Sequence, residues 1–172
     1  MKPILATLLF TGACAHLCQA QKLVDERDQA SGWYVPVNVK VTTERGKAGD
    51  VDVTLYKDNA VVTSFKAKKG IFSLSLDLDN AYSFIVEQEG YRPKTIYVDT
   101  HVPATQVQYG AFPCFVNLEA ADKFTHSDPF YLDFPGAIIR WDDQAQAFVP
   151  STGYVTDIQS KMGMLQAQMT PH

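Results

Sequence analysis

The sequence predicts a mainly β protein, an antiparallel β-sandwich followed by one C-terminal amphipathic helix. Three observations carry that expectation. Between Tyr34 and Thr43, Val35, Val37, Val39 and Val41 alternate with Pro36, Asn38, Lys40 and Thr42, the period of a strand with one buried face. Over residues 70–91, GIFSLSLDLDNAYSFIVEQEGY, two further alternating runs flank Asp79-Asn80, residue types that tolerate a left-handed turn. Near the end, Val155, Ile158, Met162, Leu165 and Met169 are spaced three, four, three and four apart, which draws one apolar stripe along a helix.

The elements follow in order. The first strand is Tyr34–Thr43, where Pro36 removes one ladder donor and places its end at a sheet edge or at the strand start. Residues 44–50 form a glycine-containing loop. Val51–Lys57 is the second strand, with Val51, Val53 and Leu55 inward. Asp58-Asn59 turns it back into Ala60–Ala67. Lys66, Lys68 and Lys69 form a small basic patch, read as a solvated edge that discourages pairing between sheets rather than as an anion site. In the central stretch the two runs read as a hairpin. Phe72, Leu74, Leu76, Phe84 and Val86 are expected to face Val37, Val39, Val53 and Leu55 across the core. Residues 93–100 and 106–118 are extended, the latter bent at Gly110 and Pro113. Residues 137–141 read as a short buried strand, with a brief return at 147–149. Gly153 and Gly163 weaken the final helix by about 1 kcal/mol each relative to Ala. Such a helix forms because something packs on its stripe.

The chain has 172 residues, 46% of them hydrophobic, and a net charge of −4. That is a globular composition for one domain with appendages. It lacks the basic stripe that nucleic acid calls for. Met1-Lys2, the apolar run from Ile4 and the small Cys18 and Ala20 before Gln21 read as a signal peptide over 1–20. A polar leader over 21–32 follows, then the sandwich over 33–120. Strands and the helix over 121–172 pack on the sandwich or on a partner. No stretch reaches membrane-spanning length. Cys14, after Thr11-Gly12-Ala13, offers a competing lipid-anchor reading. Thr11 stands where a branched aliphatic is usual, which disfavours it. Once the signal leaves, only Cys114 remains, read as a small apolar residue in a core strand.

Gly70-Ile71-Phe72-Ser73-Leu74, the Asn-containing turn, the run from Tyr82 to Val86 and Glu89-Gly90-Tyr91 together resemble the carboxypeptidase regulatory-like domain. The resemblance covers Val35 to Val102 and implies a transthyretin-like (Ig-like) antiparallel β-sandwich. Gly46-Lys47-Ala48-Gly49 keeps the family's glycines in the first loop and lacks its proline and leucine. Phe134 to Ile139 and Asp142 onward are similar to the C-terminal segment of small exported Bacteroidetes envelope proteins that carry this domain. The resemblance implies no peptidase activity, because the zinc ligands of the true carboxypeptidases belong to a separate catalytic domain.

No His-Glu-x-x-His, Cys-x-x-Cys, Gly-x-Ser-x-Gly or phosphate-cradling loop occurs. His101, His126, His172 and Cys114 show no spacing that suggests cooperation. Asp77, Asp79 and Asn80 offer oxygens to a hard cation but lack the glycine and distal glutamate of a calcium loop, and a turn explains them. No catalytic residue, cofactor or metal is expected. Two features suit binding. Trp33, Tyr56 and Tyr97 fall on faces opposite the aliphatic ones or at the edge, and a cluster of them marks a binding face. Ile158, Met162 and Leu165 form a docking stripe if nothing within the chain covers them. The expectation is a non-enzymatic module, exported to the periplasm or associated with the outer membrane, that binds or supports another envelope protein. The alternative is a small-ligand or carbohydrate-binding module. That alternative needs exposed aromatics on a concave face with convergent polar groups.

Overall fold

The computed structural model describes residues 34–103, 110–125 and 132–169. The expected signal peptide and leader, Cys14, Trp33, His126, His172 and the side chain of Met169 lie outside them.

The elements are β1 Tyr34–Thr43, β2 Gly46–Lys47, β3 Val51–Lys57, β4 Ala60–Ala67, β5 Ile71–Asp77, β6 Ala81–Glu87, β7 Lys94–Asp99, β8 Phe112–Leu118, β9 Ala137–Asp142, β10 Ala147–Pro150 and the helix α1 Thr152–Met169. In the first sheet β1 pairs with β2, β5 and β8; the second runs β10-β9-β7-β6-β3-β4. The fold is the mainly β sandwich with a C-terminal helix that the sequence predicts. Two pairings, β1 with β8 and β7 with β9, are parallel within otherwise antiparallel sheets. Pro36 lies one residue ahead of the point where β8 joins β1, so its missing N–H falls outside that ladder.

Alternation places the core. Val35, Val37, Val39, Val41 and Leu76 of the first sheet, and Phe84, Val86 and Val98 of the second, are at most 2% exposed. Gly70 shows why glycine stands at the entry to β5. Its φ is +63°, and a Cβ there would meet the Val41 Cβ at 2.9 Å. The backbone therefore passes where only glycine fits.

The central stretch is not the hairpin that its alternation suggests. β5 pairs with β1, whereas β6 pairs with β3 and β7. Leu78, Asp79 and Asn80 carry the chain across the sandwich instead. The expected facing pairs change accordingly. Phe72, Leu74 and Leu76 share a wall with Val37 and Val39, and Val53, Leu55, Phe84 and Val86 form the opposite wall. Phe72 and Phe84 meet across the core, with ring centroids 6.1 Å apart and planes at 89°. Period two states only that one face is buried, and both topologies satisfy it.

The crossing is held by Thr100, which is fully buried. Its hydroxyl lies 2.7 Å from the Asp77 carbonyl oxygen and 2.9 Å from that of Asn80, and it accepts the Asn80 N–H at 3.0 Å. The Asp79 N–H donates to the Thr100 carbonyl at 3.2 Å. Asp79, and not Asn80, takes the left-handed conformation, with φ 56°.

β9 and β10 extend the second sheet, so the stretch after residue 120 completes the sandwich as well as following it. Ile158 and Met162 of α1 are buried with Phe124, and Leu132, Phe134, Tyr154 and Leu165 pack around them. This cluster is separate from the sandwich core. Arg92 ties the two together. It donates to the Leu132 carbonyl at 2.9 Å, pairs with Glu119 at 3.5 Å, and lies over the Phe124 ring at 5.4 Å.

Candidate binding face

With the inward residues spent on the core, the outward ones of the second sheet are left for function. Register brings Tyr56 of β3 opposite Ser83 of β6, and Ser83 opposite Tyr97 of β7. The row continues to Val61 on β4 and Ile138 on β9. The two tyrosines are thus aligned on one face, two strand spacings apart, or about 9.5 Å. Both are half-buried. Their bases stand on rigid strands whose other sides are core.

A cleft of about 280 Å³ opens along this row, lined by Asp58, Asn59, Ala81, Tyr82, Ser83 and Tyr97. Asp58 and Asn59 reach it from the β3–β4 turn, where both are left-handed, with φ 49° and 65°. The Asp58 N–H donates to the Ala81 carbonyl at 3.0 Å, which fixes the turn against β6. The surroundings are acidic. Asp99 bonds the His101 Nδ1 at 2.6 Å. That bond, with Asp79 and Asp58 in the background, raises the pKa of the exposed His101. The cleft therefore offers a ring face, carboxylate and amide oxygens and a hydroxyl, with the Lys57 ammonium over the Tyr82 ring at 5.6 Å. A larger groove of about 630 Å³ runs between β10 and the start of α1. It lies open to solvent and no aromatic ring among the described residues lines it, so its described walls lack the chemistry of the smaller one.

The first sheet has its own exposed row. Lys40 of β1 is flanked by Ile71 of β5 and Phe115 of β8. Ile71 is 64% and Phe115 76% exposed. The sequence reading gave residues 106–118 only as an extended, bent stretch and assigned no face to Phe115. The usable signal was the inward alternation of Phe112, Cys114, Val116 and Leu118, which turns Phe115 outward.

The remaining expected residues fall elsewhere. Ile158 and Met162 are covered from within the chain, and Leu165 is half-buried beside them. Cys114 faces the core at 5% exposure, and burial pushes its thiol up to about 11. It is thus protonated at neutral pH and unsuited to nucleophilic attack. Asp77 takes part in the Lys57 and Tyr82 contacts, at 3.2 and 3.3 Å. Among the described residues, no group of three or more His, Cys, Asp or Glu is placed to hold a metal ion. No helix among them is long and apolar enough to cross a membrane.

No family model matches the chain, and no curated protein matches it. Solved structures that are similar in part include the following three. The S.CueP structure is 12% identical, with a TM-score of 0.38 over 52% of this chain and 64% of that one. The TIE protein of Bacillus anthracis is 15% identical, with a TM-score of 0.37 over 50% of this chain and 17% of that one. The 3-chlorocatechol 1,2-dioxygenase of Rhodococcus opacus 1CP is 11% identical, with a TM-score of 0.37 over 53% and 61%. The chain spans less than two thirds of each of these proteins. At this level the likenesses bear on neither ligand nor chemistry.

Proposed function

We propose that the chain is a non-enzymatic exported module of the transthyretin-like, carboxypeptidase regulatory-like kind that binds a saccharide on the outer face of its second sheet. The observation that supports this is the row Tyr56, Ser83, Tyr97 with the cleft of Asp58 and Asn59 at its end. Aromatic faces carry negative potential and attract the polarised C–H groups of a sugar ring. Carboxylate, amide and hydroxyl oxygens beside them accept sugar hydroxyls and fix orientation. The test is retention on a glycan array, followed by calorimetry with Tyr97→Ala. At least a tenfold loss, about 1.4 kcal/mol, is expected. An array on which the wild type retains nothing, or a Tyr97→Ala variant that binds as tightly, overturns the reading.

A second reading has its own observation. The Ile71, Lys40, Phe115 row is an exposed apolar patch of the kind that marks protein contacts, and it suits another envelope protein. Pull-down from an envelope extract with wild type and Phe115→Lys separates the two. Loss of one co-purifying protein without loss of glycan retention favours this reading.

A further inference from the structure

We propose that the outer face of the first sheet docks flat on a bilayer of anionic phospholipid, with Phe115 and Ile71 entering the headgroup layer and Lys40 held between them at the phosphates. The row of Tyr56 and Tyr97 lies on the other sheet, so this surface is independent of the saccharide reading. Register builds it. Ile71 of β5, Lys40 of β1 and Phe115 of β8 stand side by side, which sets the two apolar side chains about 9.5 Å apart. Both are more than half exposed. Neither neighbouring row holds an acid: one is Ser73, Asn38 and Pro113, the other Lys47, Thr42 and Asn117. Their polar groups bond each other, Ser73 to Asn38 at 2.8 Å and Thr42 to Asn117 at 3.1 Å. Along β5 the outward residues run Ile71, Ser73, Ser75 and Asp77, so the first carboxylate stands at the far end of the strand, where it pairs with Lys57 at 3.2 Å.

The cations choose the occupant. The chain as a whole carries a net charge of −4, yet Lys40, Arg45, Lys47, Lys68 and Lys69 gather in and beside this face, all of them exposed. Lys47 stands opposite Thr42 and points outward with it. Arg45 lies in the turn between β1 and β2, and Lys68 and Lys69 come just before Ile71. Among the described residues no ion pair engages any of the five. Nearby acids are already engaged. Glu44 pairs with Lys123 at 2.6 Å, and Asp50 accepts the Lys69 backbone N–H at 3.1 Å. A protein partner centred on this row would bury the Lys40 ammonium between two apolar contacts, and charged residues, lysine among them, are depleted at the centres of such interfaces. A bilayer takes the same three side chains without that cost. The ring and the branched chain enter the interface, while the lysine stem lies along them and its ammonium stays at the phosphates. Apolar burial and attraction to anionic lipid then add, each cation near the surface being worth about fivefold in affinity.

The experiment is flotation of the full chain with vesicles of phosphatidylcholine alone and of phosphatidylcholine mixed with phosphatidylglycerol. Binding is expected to the mixed vesicles only, and it should weaken as salt rises. Lys40→Glu and Phe115→Ser should each weaken it about tenfold or more, with an unchanged melting temperature and unchanged glycan retention. The variants share every other segment with the wild type, so binding carried elsewhere in the chain would survive them. Phe115→Trp should keep the affinity and, relative to the wild type, shift its fluorescence to the blue on mixed vesicles. If either loss variant unfolds, that shift decides. Full affinity in a folded Phe115→Ser would leave charge attraction alone and overturns the proposal, as does a fluorescence that does not move. A wild type that floats with neither kind of vesicle, or with both alike, also overturns it, and loss of one co-purifying envelope protein from the folded variants then gives the face to a protein partner.

Discussion

The crossing between β5 and β6 can be tested by asking whether Phe72 and Phe84 feel each other. Their rings stand edge to face at 6.1 Å, and Phe65 touches Phe72 from the other side at 5.6 Å. Phe84 is fully buried and Phe72 nearly so, at 9%. Replacing each by Leu removes the ring contact while keeping most of the volume, at roughly 1–2 kcal/mol apiece, within the usual range for point changes. Edge-to-face pairs add about 0.5–1.5 kcal/mol beyond area burial. The double variant should therefore lose less than the sum of the singles by about that amount. In a hairpin closed at Asp79-Asn80 the outcome differs. Phe72 would then sit opposite Glu87, and Phe84 opposite Ser75. The rings would be three residues apart along the strands, roughly 10 Å, and the changes would add. Urea unfolding resolves this. With a slope of about 1–3 kcal/mol per molar, a coupling of about 1 kcal/mol moves the midpoint by several tenths molar. Additivity within about 0.3–0.5 kcal/mol would falsify the crossing.

Two further perturbations probe the frame of the site. Gly70→Ala puts a Cβ 2.9 Å from the Val41 Cβ on a backbone at φ +63°. It should lower stability by more than the ~1 kcal/mol ordinarily lost when a residue is forced into the left-handed region, and an unchanged melt would show that the entry to β5 is not closely packed. Lys94 sits against Gly136 and donates to the Asn117 carbonyl at 2.9 Å, and burial lowers its pKa from 10.5. The folded chain thus releases this proton before the unfolded one does, so stability rises with pH through the folded pKa and levels off near 10.5. Lys94→Met should flatten that rise in a pH series of urea midpoints; an identical slope in both proteins removes Lys94 as its source.

Much of the sandwich was legible because burial writes itself into period two. The bounds of β1, β3 and β4 and the inward sets of β3, β5 and β6 follow from alternation alone. The partner of a strand does not. Phe72 to Leu76 and Tyr82 to Val86 look the same whether the chain folds back in one sheet or crosses to the other. What distinguishes them is Thr100, twenty residues beyond Asn80 in sequence, whose buried hydroxyl holds the crossing. The helix stripe was legible as a stripe. Its cover, Phe124 with Leu132 and Phe134, lies in a connection without periodicity. For the site, Tyr56 and Tyr97 could be placed on outward faces from their strands. Their alignment through Ser83 depends on register between three strands, which no single strand records.

That register carries a last consequence for the proposed ligand. Tyr56 and Tyr97 are held by β3 and β7, and β6 between them sets their separation at two strand spacings, about 9.5 Å. The inner sides of all three strands are buried core, with Val53, Phe84 and Val98 at most 1% exposed. The tyrosines therefore cannot close on a small ligand without breaking the sheet. A single sugar ring reaches one of them and the cleft beside Asp58, but not both. An oligosaccharide can lie across the row and use both ring faces, adding the second contact without a second loss of translational freedom. Affinity should rise steeply from monosaccharide to trisaccharide and then level off. Tyr56→Ala should lower the affinity of the longer ligand to that of the monosaccharide while leaving monosaccharide binding almost unchanged. Calorimetry over an oligomer series measures both. If a monosaccharide binds as tightly as its trisaccharide, or if Tyr56→Ala weakens the two equally, the two tyrosines do not act as one platform.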